Sequence, residues 1–459
     1  MSLILAESHG ATPHLLWAWP FAALLLAIAI LPLLRGTCHW WEKNRHKLLV
    51  ALALAAVTLG YYGFRDSGTG MHEPRGWTAV TTVLNHAVLA EYVPFIVLLF
   101  SLYVIAGGIV VRGDVRATPL VNTTILATGG VLASLIGTTG AAMVLIRFLL
   151  KTNSERKRNV HTVIFFIFIV ANIGGNLLPV GDPPLFLGYL SGVDFFWTLR
   201  LVPQWAFALA ILLAIYFLWD TWAYGQEAPE AIELDKTRRQ PMQVAGLINV
   251  LWLLGVVVAV ATLDPAKAFP GTQWHAFPYL RELVQLAMAG LSLLTTPRSL
   301  RYENRFNYSA IGEVAFLFIG IFITMQVPID ILQSRGPELG LVQPWQFFWA
   351  SGALSSFLDN APTYAVYFAT AGTLDPPGME LMHSVKTATG SIPVPLLEAI
   401  SCGSVFMGAN TYIGNGPNFM VKAIAEQSGL KMPSFFGYML YSGLILIPLF
   451  LAMTLVFFC

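Results

Sequence analysis

Ala171-Asn172-Ile173-Gly174-Gly175-Asn176-Leu177-Leu178-Pro179-Val180-Gly181-Asp182-Pro183-Pro184 lies inside an apolar run, 162–190. A hydrocarbon core of about 30 Å is crossed by about 20 apolar residues in a helix. The run has that length, but it cannot stay helical throughout. Proline removes an amide donor and clashes with the preceding turn, and each glycine weakens a helix by about 1 kcal/mol relative to alanine. The segment therefore reads as a membrane helix broken at its centre. Non-helical backbone at membrane depth persists only where protein encloses it or where it lines a wet cavity. One such break fits either a binding site or close helix packing; four, paired by repeat, point to a site.

Three more breaks appear on working outward. Run 394–428 contains Gly408-Ala409-Asn410-Thr411-Tyr412-Ile413-Gly414-Asn415-Gly416-Pro417-Asn418, a second broken helix. Stretches 119–150 and 344–374 are interrupted at Gly137-Thr138-Thr139-Gly140 and at Asp359-Asn360-Ala361-Pro362. Their halves, about 10 to 18 residues, are too short to cross comfortably, so each stretch reads as a re-entrant hairpin. Runs 14–34, 47–63, 80–111, 195–218, 242–262, 281–297, 310–333 and 434–458 read as further spans, making ten with the two broken helices.

Only 11% of the 459 residues are charged while 56% are hydrophobic. Soluble chains carry about 25% charged residues, so this chain has too little charge to cover a water-facing surface. Its net charge of +1 gives no basis for a nucleic-acid partner; the expected surroundings are a lipid bilayer. Cys38, Cys402 and Cys459 are spaced for neither a metal cage nor a disulfide framework and read as small buried apolar residues. Met1–Thr12 lacks the basic and apolar regions of a cleaved signal. With the N-terminus outside, eighteen of the 26 Lys and Arg fall in inside loops, among them Arg112, Lys151, Arg156 and Arg301. That is the positive-inside bias. A complete crossing by 119–150 would put the Arg112 and Lys151 loops on opposite sides, which favours the hairpin. The expectation is an inner-membrane protein with both termini periplasmic and 219–241 as a cytoplasmic linker.

The pattern occurs twice. Glu91 and Glu313 each begin an apolar run, and Gly137 and Asp359 follow them by 46 residues. Gly174-Gly175-Asn176 aligns with Gly408-Ala409-Asn410 at an offset of 234, against 222 for the tips; the difference fits the loop 375–393. The expected fold is an all-α polytopic membrane protein of two inverted repeats, 1–218 and 242–459. Each repeat has five transmembrane helices, one re-entrant hairpin and one broken helix. A pseudo-two-fold axis should pair Asn176 with Asn410 and Thr138 with Asn360, and each tip should meet its break near these asparagines.

The polar side chains of the breaks are the candidate ligands of a small ion or small organic anion: Thr138, Thr139, Asn172, Asn176, Asp182, Asp359, Asn360, Thr363, Asn410, Thr411, Asn415 and Asn418. Freed carbonyls and neutral oxygens suit a hard cation, whereas amide donors and half-helix N-termini suit an anion. Acids within the membrane are costly and functional by default. Asp359 is read as the ion- or proton-binding group, with Asn360 and Asn410 beside it in a sodium site. Asp182 has a plainer alternative, because an aspartate before two prolines can simply cap a turn. Glu91 and Glu313 read as helix caps near the membrane interface, and Arg147 as a side chain snorkelling to the basic loop. His86 and His383 have no metal-ligand spacing. With no Walker, nucleophile-elbow or zinc motif, no enzymatic chemistry is expected, and no cofactor beyond a bound sodium ion.

The first broken helix, Ala171 to Asn176 and on through Gly181-Asp182-Pro183-Pro184, resembles the signature of the ion transporter superfamily. That superfamily includes sodium–proton antiporters, citrate and dicarboxylate carriers, arsenite efflux pumps and the melanosomal pink-eyed-dilution proteins. Ser356-Phe357-Leu358-Asp359-Asn360-Ala361-Pro362 is similar to its second hairpin tip. Gly408-Ala409-Asn410, followed by Gly414 and Asn418, resembles its second broken helix. The resemblance spans roughly 80–430 by order of elements. It implies scaffold and transport domains, an elevator-like motion and a homodimer, with Thr138, Asn172, Asn176, Asp359, Asn360, Asn410 and Thr411 around the substrate and coupling ion. Many relatives carry an acid-asparagine pair at the first tip, where this chain has Gly137-Thr138-Thr139-Gly140. That leaves the first cation site without its usual charge. The leading expectation is sodium–proton antiport with Asp359 titrating; the alternative is proton- or sodium-coupled carriage of citrate or other small organic anions.

Overall fold

The computed structural model describes residues 13–32, 34, 36–65, 76–269, 271–374 and 383–459. Residues 1–12, where no cleaved leader is expected, lie outside the described residues, as do Arg35, Arg75 and part of the 375–393 insertion. Among the described residues, seven helices are long and apolar enough to cross a membrane. They include α2 (Asn44–Phe64), α3 (Gly76–Ala106), α8 (Val202–Tyr224, with a preceding 3-10 turn), α12 (Ser309–Leu339) and α17 (Phe435–Phe458). The other two are α4 (Pro119–Ile136), the first arm of a hairpin, and Val160–Leu177, which opens the first broken helix. Three expected spans are shorter: α1 (Trp19–Ile30), α10 (Ile248–Thr262) and α11 (Leu280–Thr295). In α11 the Arg281–Glu282 pair in the first turn lowers the apolar character of the run.

The expectation of helices alone needs one amendment. Strand β1 (Val110–Asp114) pairs antiparallel with β2 (Gln240–Ala245), and β3 (Ser384–Thr387) with β4 (Gly390–Pro393). The β1–β2 pairing spans so long a stretch of chain that it leaves little local signal, whereas β3 and β4 form a local hairpin. The 219–241 stretch is accordingly ordered, into the end of α8, then α9 (Pro229–Thr237), then the start of β2. Both carboxylate oxygens of Asp235 accept the Ala117 amide at 3.2 Å, which ties this stretch to the base of the first hairpin. Of the three cysteines only Cys402 is buried; Cys38 is half-buried and Cys459 exposed.

Two half-helices form the centre of the molecule. In α6 (Val160–Ile169) every residue from His161 to Ile169 is buried, and so are most of α15 (Val394–Met407). A helix apolar all round belongs inside, because no face of it is left for a polar environment. The hairpins pack against these cores. Arms α4 and α5 (Thr138–Thr152) are joined by Gly137 alone, at φ 81° and ψ 148°. That conformation is essentially closed to residues with a Cβ, so the one-residue reversal demands glycine. The second hairpin, α13 (Pro344–Ser355) and α14 (Asn360–Ala371), turns over the longer stretch Ser356–Asp359. Its arm α13 approaches α15 so closely that a Cβ at Gly403 would collide with Ser351 and the Phe348 carbonyl.

At the base of the first hairpin lies a buried ionic cluster. The Arg156 guanidinium contacts Asp220 at 2.6 Å, His161 Nε2 contacts the same carboxylate at 2.8 Å, and Asn122 reaches it at 3.3 Å. It fastens α4, α5 and α6 to the end of α8.

Candidate functional site

The four breaks meet. Each leaves a helix N-terminus at the meeting point: Gly137 precedes α5, Asp182 precedes α7 (Pro183–Leu190), Asp359 precedes α14, and Asn415 precedes α16 (Gly416–Gln427). The first amides of a helix have no partner within it and carry partial positive charge. Four such ends concentrate that field in one place without a basic side chain.

Asp182 is the hub. It is 1% exposed, and its partners come from both hairpins and the other broken helix. One carboxylate oxygen accepts the Thr138 hydroxyl at 2.9 Å and the Asn415 amide at 3.4 Å. The other accepts a short hydrogen bond from the Asn360 amide. All three donors are neutral. The backbone reinforces the arrangement, since the Thr138 amide donates to the Gly181 carbonyl at 2.9 Å.

A chain of asparagines extends from this hub. Asn415 also donates to the Ala171 carbonyl at 3.1 Å and to Asn172 Oδ1 at 3.2 Å. Asn172 donates to Asn418 at 2.7 Å, and Asn418 to the Gly408 and Thr411 carbonyls, both at 2.9 Å. Thr411 donates to the Ser356 carbonyl at the second tip. Asn410 donates to the Ser356 hydroxyl at 2.9 Å. These bonds satisfy carbonyls that the two broken helices release, and they bind the breaks to one another.

The remaining candidates stand apart. Asp359 is half-buried, and its carboxylate accepts the Ala361 amide at 3.2 Å as an N-cap of α14. Thr363 donates back to the Asp359 carbonyl at 3.0 Å. Thr139 takes no part in the side-chain network. Asn176 does not meet the first tip; its amide points to Cys402 Sγ at 3.6 Å. The reason lies in the backbone: after the 3-10 turn Ile173–Leu177 the chain folds back, and Gly181 and Asp182 are the residues brought to the tip. Asn410, by contrast, contacts Ser356 at the second tip. The side-chain oxygens of Asn176, Asn360 and Asn410 are buried and accept no hydrogen bond from the described residues. Among those residues no group of three His, Cys, Asp or Glu could hold a metal ion.

Ser356 emerges as a site residue; its only signal in the sequence is its place in the second tip motif. Cys402, in a plain apolar run, has none. The two repeat-start glutamates part company. Glu313 lies near the start of α12 and pairs with Lys47 at 2.6 Å. Glu91 caps no helix: it stands fifteen residues from each end of α3, within a π-helical segment, Asn85–Tyr92.

A search of curated proteins returns no match. The family model CitMHS_2, described as "Putative citrate transport", matches residues 10–458. With membrane-length helices throughout and a family match over nearly its whole length, the chain is a multi-pass membrane protein that belongs to the citrate transport family CitMHS_2.

Proposed function

We propose that this protein is an ion-coupled secondary transporter that carries citrate or a similar small carboxylate, with Asp182 as the group that couples a cation to the substrate. The observation that carries this reading is the convergence of the Thr138, Asn360 and Asn415 donors, each from a different segment, on one buried carboxylate. Such donors favour a carboxylate ligand, and in this structure the Asp182 carboxylate takes them. When Asp182 binds a proton or a sodium ion, its negative charge is offset and the donors become available to a substrate carboxylate. An anion then binds well only together with its cation, which is the basis of coupling.

The family supports the substrate class. The order of elements, twice helix–helix–helix, hairpin, broken helix, helix, supports two inverted repeats with re-entrant hairpins. On this reading the hairpins and broken helices form a transport domain that moves as an elevator against a scaffold of α2, α3, α11 and α12. The protein works as a homodimer in the inner membrane, with both termini periplasmic.

A second reading is sodium–proton antiport. The buried side-chain oxygen of Asn360, which accepts no hydrogen bond from the described residues, favours it, as does the neighbouring Asp182, which no Lys or Arg among those residues contacts. Proteoliposomes decide between the two. Labelled citrate and succinate uptake is measured under imposed sodium and pH gradients, alongside sodium-driven proton movement without substrate. Gradient-driven citrate uptake is the expected result. Antiport with no uptake of either acid selects the second reading.

A further inference from the structure

A cavity of about 410 Å³ lies between α3, α12 and the second hairpin. Its lining includes Arg65 and Thr389, which adjoin loops that the charge bias assigns to the outside, and Glu91, Gln326 and Tyr364. One wall belongs to the hairpin arm α14 through Tyr364, Ala365, Phe368 and Ala369, the other to α3 and α12. Glu91 stands at the midpoint of α3, about 22 Å from either end at 1.5 Å per residue. Its side chain is 20% exposed. Gln326 Nε2 donates to it at 3.0 Å, and His86 Nδ1 lies 3.9 Å away. The helix is π-wound from Asn85 to Tyr92, a deviation frequently found at functional sites. The other titratable side chains facing the cavity are Tyr62, Arg65, Asp330 and Tyr364. Of these, Asp330 is held by the Tyr62 hydroxyl at 2.7 Å and lies 3.9 Å from Arg65. Among the described residues Glu91 contacts no Lys or Arg; its polar neighbours are the Gln326 amide and the His86 imidazole. A carboxylate at mid-membrane is expensive and functional by default.

From this placement we infer that Glu91 is a proton-binding group on the scaffold wall of this cavity, taking a proton from water and releasing it according to the position of the second hairpin. The step is a reversible transfer of one proton between water and a carboxylate oxygen. With α14 close, the cavity is small and the neutral acid is favoured. With α14 withdrawn, water reaches Glu91 and the proton leaves. Glu91 would thus tie proton movement to transport without touching the substrate. The inference rests on the transporter reading, and its test separates the two.

Purified protein is treated with dicyclohexylcarbodiimide, which modifies protonated carboxyls in apolar sites, and the labelled residue is identified by mass spectrometry from pH 5 to pH 9. Glu91 should be labelled, and labelling should fall as pH rises. Absent or pH-independent labelling overturns the inference whatever the liposomes do. In proteoliposomes, Glu91→Gln should retain citrate counterflow, which needs no net proton movement, and should lose at least tenfold of pH-driven uptake. Glu91→Asp should restore a pH response with a displaced midpoint. Unchanged pH-driven uptake in Glu91→Gln overturns the inference. So does loss of counterflow in a folded Glu91→Asp protein, which marks a packing role. Labelling at Glu91 without citrate flux in the wild type leaves the proton site standing and overturns the citrate reading alone.

Discussion

Asn360, the first residue of α14 at one hairpin tip, donates its side-chain amide to the carboxylate of Asp182, which precedes α7 at the break of the first broken helix, 178 residues earlier. This one bond joins the two halves of the chain at the centre of the site. It also assigns different tasks to the two acids there. Asp182 collects donors from three other segments, whereas Asp359 caps its own helix.

Substitution separates those tasks. Asp182→Asn should reduce gradient-driven citrate uptake at least tenfold, because it removes the charge that couples cation to anion. Asp359→Asn should be mild, since asparagine caps a helix about as well as aspartate, while Asp359→Ala should lower stability by about 1 kcal/mol. Uptake rates of the three variants, with thermal unfolding in detergent, check this. A dead Asp359→Asn with active Asp182→Asn would return the coupling role to Asp359.

Gly137→Ala forces a Cβ into a backbone region open essentially to glycine alone. A loss of about 1–3 kcal/mol is expected, with a further loss of uptake as Thr138 moves from Asp182. Thermal unfolding and uptake should decline together.

Asp220→Asn takes the closest carboxylate from the buried Arg156, leaving it Glu227 at 3.8 Å, and removes the carboxylate that His161 contacts. Breaking a buried pair from one side costs about 3–5 kcal/mol. The unfolding midpoint should fall by several degrees, and proteolysis should become faster at the base of the first hairpin.

At the surface the scale is smaller. Hydrogen bonds from Arg112 hold Glu303 below the usual carboxylate range, at 2.6 Å for the closest contact. A depressed carboxylate contributes stability above its unfolded value, about 4.3, and loses it as pH falls through the folded value. Both side chains are nearly half exposed, so solvent screens the pair and its contribution is small. Glu303→Gln should therefore be slightly less stable than wild type at pH 7, and the difference should shrink as pH falls below about 4.3 and vanish below the folded value. Added salt should shrink it at neutral pH. Unfolding curves at several pH values measure both.

The sequence by itself determined the membrane class and the positions of the four breaks. Low charge, apolar runs of bilayer length and clusters of glycine and proline act locally, so composition and spacing carry them. The ends of α5, α7, α14 and α16 fall at the quoted motifs for that reason. The tertiary structure decided which polar residues share a site. Asp182 and Asn360 are remote in the chain, and no local rule distinguishes an aspartate that caps a turn from one that gathers donors. The same holds for Asn176, turned to Cys402 by a backbone that folds back after its 3-10 turn. It holds for Glu91, whose depth depends on where α3 begins, four residues before the apolar run itself. Hydrogen bonds between distant segments and burial in a shared cavity are properties of the packed chain, and packing alone fixes them.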